Sequence, residues 1–107
     1  MIGQNGLVAR LTTPAFRYKP SAVDMADITK IYLVIKMNGA SVISKDISEA
    51  SISEDGYTWI LTQEETQKLI VGRTAEAKID YLTNSGMRYT TVPKLYEITD
   101  SAINEVI

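Results

Sequence analysis

The stretch Leu61-Thr62-Gln63-Glu64-Glu65-Thr66 places a helix start inside a pattern that otherwise reads as β-strand. Before it, Tyr57, Trp59 and Leu61 alternate with Thr58 and Ile60. After it, Ala75, Ala77, Ile79 and Tyr81 alternate with Glu76, Lys78 and Asp80. A period of two marks a strand with one buried face, because successive side chains point to opposite sides of the backbone. Thr62 suits an N-cap, since its hydroxyl can accept from an amide left without a partner in the first helical turn. Glu65, three residues on, completes a capping box. Glu64 and Glu65 face the positive end of the helix dipole, and Lys68 lies near its negative end. Gly72 can take the left-handed conformation that ends a helix. One or two helical turns are therefore predicted from Gln63 to about Ile70. They carry the chain from one sheet to another, with Leu69 or Ile70 plugging the core.

The same reading weighs against catalysis by the paired carboxylates. Adjacent helix positions point about 100° apart and do not converge on one substrate. Glycosidase carboxylates must instead face each other across the scissile bond.

Working outward, Leu7 to Thr12 reads as a first strand. Thr13 to Asp24, with Pro14 and Pro20, reads as a loop or irregular edge, because proline cannot donate to a ladder. Ile28 to Met37 is a long alternating strand and the strongest element. Asn38-Gly39 then supplies the dipeptide best suited to a type I′ hairpin turn. Ala40 to Ile47 returns as its partner, with Met37 opposite Ala40 and Ile35 opposite Val42. Val34 and Ile43 give this hairpin a second apolar face, which predicts a central or two-sided position. A short strand is expected around Ile52 within Ser48 to Ser53, followed by a turn at Asp55-Gly56. A turn at Asn84-Ser85-Gly86 separates Thr74–Leu82 from a closing strand, Met87–Ile98, that Pro93 interrupts at an edge or bulge. These six or seven short strands, with turns roughly every 8–12 residues, are the signature of an all-β antiparallel sandwich with one helical turn near 62–70. The chain is expected to be a single domain over 1–107, with 1–6 and 100–107 as flexible ends.

At 107 residues the chain is long enough for one real core. It has no Cys, hence no disulfide, thiolate ligand or thiol nucleophile. It has no His, hence no imidazole base, no Ser-His-Asp arrangement and no imidazole metal ligand. Asp24, Asp27, Asp46, Asp55 and Asp100 lack calcium-loop spacing. No glycine-rich loop precedes a helix, so a nucleotide site is not expected. The formal net charge of −2 gives no footprint for nucleic acid. Met1 to Pro20 lacks the apolar core of a signal peptide, and no apolar run approaches the ~20 residues of a membrane span. The expectation is a non-enzymatic protein with no catalytic, cofactor-binding or metal residues. No nucleic acid, membrane or small-molecule substrate is expected as a partner.

Charge is nonetheless uneven. From Lys45 to Glu65 one cation stands against six carboxylates, and from Thr66 to Tyr96 five cations stand against two. Such segments are either solvated faces or complementary surfaces for self-assembly. Trp59, with Tyr57, Tyr32, Tyr89 and Tyr96, is either a core cluster or a stacking platform for sugars or a partner. Arg10, Arg17 and Lys19, with Phe16 and Tyr18, form a small basic patch. Three cations give little affinity for phosphates at physiological salt.

Taken in order, Ile31-Tyr32-Leu33-Val34-Ile35-Lys36, a hairpin, Lys45-Asp46-Ile47, the Leu61–Thr66 block, Ala77-Lys78-Ile79-Asp80, Gly86 and a closing strand resemble small tail- or baseplate-associated proteins of phages and prophages of Gram-positive bacteria. The immunoglobulin-like N-terminal domain of the baseplate upper protein is the nearest named group. The resemblance runs from about Ile28 to Ile98, and its motifs are structural. Ala77-Lys78-Ile79-Asp80 departs from the Ile-Gln-Val/Leu-Arg type of strand found there, and no long receptor-binding or coiled-coil region follows. The resemblance implies an immunoglobulin-like sandwich acting as a structural or adaptor module of a virion tail or baseplate, made in the bacterial cytoplasm. Its implied partners are other tail or baseplate proteins and further copies of itself. The alternative is a carbohydrate-binding module touching host cell-wall polysaccharide through Trp59 and nearby tyrosines.

Overall fold

In the computed structural model, which describes residues 4–103 and 105–107, the alternating stretches form two facing sheets. The elements are β1 (Gln4–Ala9), β2 (Ala15–Tyr18), β3 (Ile28–Met37), β4 (Ala40–Lys45), β5 (Ser51–Ser53) and β6 (Gly56–Ile60). After them come α1 (Gln63–Thr66), β7 (Thr74–Thr83), β8 (Arg88–Thr90) and β9 (Lys94–Thr99). One sheet runs β1-β9-β7-β3-β4, with β8 also on β7; the other runs β2-β6-β5. Placing β9-β7-β3-β4 against β2-β6-β5 reproduces the strand neighbours of the two immunoglobulin sheets. The protein is an immunoglobulin-like β-sandwich. β1 joins the larger sheet as the parallel partner of β9, whereas the other pairs are antiparallel.

The core lies between the sheets. Ile31, Leu33 and Ile35 of β3 and Ala75, Ala77, Ile79 and Tyr81 of β7 face Phe16 of β2 and Tyr57 and Trp59 of β6, all buried. With no cysteine to bridge the sheets, this apolar contact holds them together. It is worth roughly 25 cal/mol per Å² of apolar area removed from water. The predicted alternations thus hold on both sides of the helical turn.

Several boundaries differ from the expectations. The first strand ends at Ala9 and not Thr12, because Leu11 turns the chain at φ 64° to send it into the other sheet. The segment Thr13 to Asp24 contains β2, an edge strand set between Pro14 and Pro20. The hairpin turn has Asn38 and Gly39 at φ 53° and 79°, and Met37 does face Ala40. Ile35, however, faces Ile43 and not Val42, because a bulge slips the register by one residue. Since a one-residue slip flips side chains to the other face, Ile43 becomes a core residue. β3 is central, but β4 is a sheet edge that ends at Lys45. In the β5–β6 hairpin the central turn residues are Glu54 and Asp55, and Gly56 begins the next strand.

The closing strand divides around Pro93. β8 pairs with the end of β7 and β9 with its start. Between them the Thr91 hydroxyl accepts from the Ile79 amide (3.0 Å), standing in for a ladder carbonyl. This division, with β2 and β5, raises the strands to nine among the described residues. Of the segments expected as flexible ends, 1–3 and Asn104 lie outside the described residues. Residues 4–6 belong to β1. At the other end the Gln63 side-chain amide donates to the Ile107 carbonyl (3.1 Å) and accepts from its amide (2.8 Å).

Two glycines separate steric from conformational demand. Gly56 sits at φ 116°, and a Cβ there would lie 2.4 Å from the Tyr18 carbonyl oxygen on the neighbouring strand. Gly39 sits at φ 79° with open space around it. Gly56→Ala is expected to lower stability by more than about 2 kcal/mol, and Gly39→Ala by about 1 kcal/mol. Paired denaturant unfolding curves check the order; equal losses would contradict it.

Candidate functional site

α1 forms as its local chemistry dictates. The Glu65 amide donates to the Thr62 hydroxyl (3.1 Å), and the Thr62 amide donates to the Glu65 carboxylate (2.8 Å). The helix stops after one turn. The buried Thr66 hydroxyl donates to the Thr12 carbonyl (2.8 Å), pinning α1 to the β1–β2 connection. Leu69 is the core plug, whereas Ile70 is half exposed. Gly72 does not end the helix. It follows a further turn, at φ 84°, and its amide donates to the Ile98 carbonyl as the chain enters β7.

Glu65 does more than cap. Its second oxygen lies 2.9 Å from Nζ of Lys45, which is buried at the end of β4. The other face of Lys45 meets Glu49 at 3.4 Å. Glu49 is itself the third residue of a second capping box, in which the Asp46 carboxylate accepts from the Ser48 amide and the Asp46 amide donates to Glu49. One buried ammonium therefore joins both capping-box glutamates. Beside it the fully buried Trp59 donates its indole N–H to the Asp46 carbonyl at 2.9 Å. Burial opposes the charges, pushing Glu65 up and Lys45 down. The Thr62 amide and Lys45 more than offset this for Glu65, whose carboxyl ends below its usual range. The two glutamates do the same for Lys45, whose ammonium ends above its own. Glu64 is exposed and stands apart from this group.

This closed network answers two of the sequence alternatives. Glu65 is a cap residue, whereas Glu64 is an exposed first-turn residue that takes no part in the cap. Trp59 is a core residue stacked on Tyr57 at 6.0 Å between centroids, so it offers no face to a sugar. The other aromatics divide. Tyr18, Tyr81 and Tyr89 follow one another at 6.0 and 5.1 Å, and Phe16 meets Tyr96 edge-on at 5.2 Å. Burial, then the neighbouring Tyr81, pushes the Tyr18 hydroxyl up to about 12. Tyr32 lies on the outer face of β3, apart from these.

One open feature of the molecule is the flank beside β2. Because β1 pairs with β9, no strand among the described residues lies outside β2, and the sheets part there around a cleft of about 500 Å³. Phe16, Leu33, Ile79 and Tyr96 form its apolar floor, and Arg17, Lys19 and Lys94 its rim. Two members of the predicted basic patch, Arg17 and Lys19, meet here. Arg10 does not line the cleft, and its Nε donates to the Gln67 carbonyl at 3.2 Å. Lys94 and the exposed Val92 were not foreseen, and Tyr96, expected beside Trp59, lines this cleft instead. Their signal was Pro93, at which the closing strand divides into β8 and β9. The outer face of the larger sheet holds a smaller groove of about 350 Å³, where Arg88 pairs with Asp80 at 2.9 Å.

No protein-family model matches the chain, and no curated protein matches it at a significant level. Among solved structures, extracellular domains 3–5 of Drosophila OTK superpose with a TM-score of 0.45 at 11% identity. The overlap covers 94% of this chain and 33% of that one, so the chain spans about a third of that structure.

Glu65→Ala removes a cap and one of two counter-charges on a buried lysine, and is expected to lower stability by about 2–4 kcal/mol. Glu64→Ala is expected to change it by less than about 0.5 kcal/mol. The pH dependence follows from the Glu65 and Asp80 carboxyls, both held below their ordinary values; for Asp80 the Thr90 hydroxyl and then Arg88 are responsible. A carboxyl lowered by folding contributes stability that is full above its unfolded value and lost as pH falls through its folded one. Melting temperature should therefore decline as pH drops below about 4.5, with a shallower decline in Glu65→Gln.

Proposed function

We propose that the protein is a non-enzymatic structural or adaptor module of a phage or prophage tail or baseplate, acting by protein–protein packing. The observation that carries the assembly part is the open β2 flank. An apolar floor ringed by cations beside an edge strand has the anatomy of an interface, with a dry centre and a polar rim. The tail or baseplate assignment rests on the order of motifs from Ile28 to Ile98. Of the paired carboxylates that first suggest chemistry, Glu65 is engaged in a cap and an ion pair. Among the described residues no helix is long and apolar enough to cross a membrane. A virion location follows from the proposal.

The test is capture of tail or baseplate proteins encoded beside the gene by the purified chain, read by native mass spectrometry. Complexes of defined stoichiometry are expected, weakened by Phe16→Ser or Lys94→Glu. A chain that captures none of them would overturn the reading. Trp59 fluorescence offers a second check. Blue emission, protected from quencher and unmoved by cell-wall polysaccharide, is expected of a buried indole; a shift on adding polysaccharide would favour sugar binding.

A further inference from the structure

The three-stranded sheet ends in two unpaired edges that fit one another. At the β2 edge the Leu61 amide donates to the Pro14 carbonyl at 3.0 Å, which sets the phase of the β2–β6 ladder. Bonded and non-bonded pairs alternate in an antiparallel ladder. Phe16 and Tyr18 therefore bond β6, while the amides and carbonyls of Ala15 and Arg17 point outward. At the β5 edge the two-residue turn closes on Ser53 and Gly56, so Ser51 and Ser53 bond β6 and Ile52 points its amide and carbonyl outward. β2 and β5 both run antiparallel to β6, so two copies in the same orientation present these edges as a parallel pair. With Ile52 beside Phe16, the Ile52 amide meets the Ala15 carbonyl and the Arg17 amide meets the Ile52 carbonyl.

We propose that a second copy of this chain docks its β5 edge on the β2 edge, continuing the three-stranded sheet from copy to copy. The inference rests on the assembly reading above and names one partner as the chain itself. Side chains support the backbone match. Ile52 lies opposite Tyr57 and so on the inner face of its sheet, yet it is 56% exposed because nothing of the opposing sheet covers it. Beside Phe16 of the neighbouring copy it enters the cleft of about 500 Å³. Charge selects the pairing. Arg17, Lys19 and Lys94 rim the cleft, and Glu54 and Asp55 form the tip of the hairpin that carries β5. Pairing β2 with β2, or β5 with β5, sets like charges together; only the unlike pair brings opposite charges into contact. The contact is thus head-to-tail, and it repeats into a ring or a filament according to its rotation.

Sedimentation of the full chain tests this. At about 50 mM salt the wild type should grow with concentration, and about 500 mM salt should weaken association on the order of tenfold. Arg17→Glu/Lys19→Glu and Glu54→Lys/Asp55→Lys each make both edges alike in charge and should sediment as monomers. An equimolar mixture of the two should associate again. Unchanged Trp59 emission certifies that both variants are folded. A wild type that stays monomeric at low salt, charge variants that associate undiminished, or a mixture that does not recover would each overturn the proposal. Capture of tail proteins is measured separately, so edge pairing can fail while the assembly reading stands.

Discussion

The ion pair between Lys45 and Glu65 is the constraint on which the arrangement of the two sheets depends. Lys45 ends β4, an edge of the larger sheet; Glu65 belongs to the turn by which the chain leaves the smaller sheet for the larger. Their contact fixes where that crossing can lie. Glu49, on the same ammonium, fixes the 3-10 turn that leads back into β5. A buried charge with one partner removed is strongly destabilising, whereas the intact pair contributes modestly. The clasp therefore works less as a source of stability than as a selector, because arrangements that separate the three groups leave a charge unpaired in the interior.

Trp59 shows how this polar end and the apolar core support each other. Its ring fills the space between sheets, and its N–H reaches the Asp46 carbonyl. The backbone around Asp46 is held in turn by the capping box with Glu49. One end of the sandwich is thus closed by mutually dependent contacts. The β2 flank is the opposite case, since the strand that could cover it pairs with β9 instead. The open edge follows from the routing of β1, which stays on β9 before the chain turns at Leu11 (φ 64°) into the other sheet.

Much of this is legible in the residues. The alternation in Ile28–Met37 and Thr74–Leu82, the Asn38-Gly39 turn and the Thr62–Glu65 box are local signals, and local signals survive folding when tertiary packing agrees with them. The bulge that turns Ile43 inward was not legible, because nothing in Ala40–Lys45 marks the extra residue. β2 was obscured by its two prolines, which read as loop and in fact bracket a short edge strand. The cleft was hidden for another reason. Phe16, Ile79, Lys94 and Tyr96 come from three strands far apart in sequence, and only strand order brings them together. Likewise Lys45 and Glu65 each look like ordinary surface charges until the sheets are stacked.

Native-state hydrogen exchange by NMR, on dilute protein at high salt so that copies stay apart, tests the account most directly. The Trp59 indole N–H should exchange as slowly as the core strands. Along β2, the Phe16 and Tyr18 amides should be protected while those of Ala15 and Arg17 exchange freely. Uniform protection from Ala15 to Tyr18, or a fast-exchanging indole, would contradict a sandwich clasped at one end and open along β2.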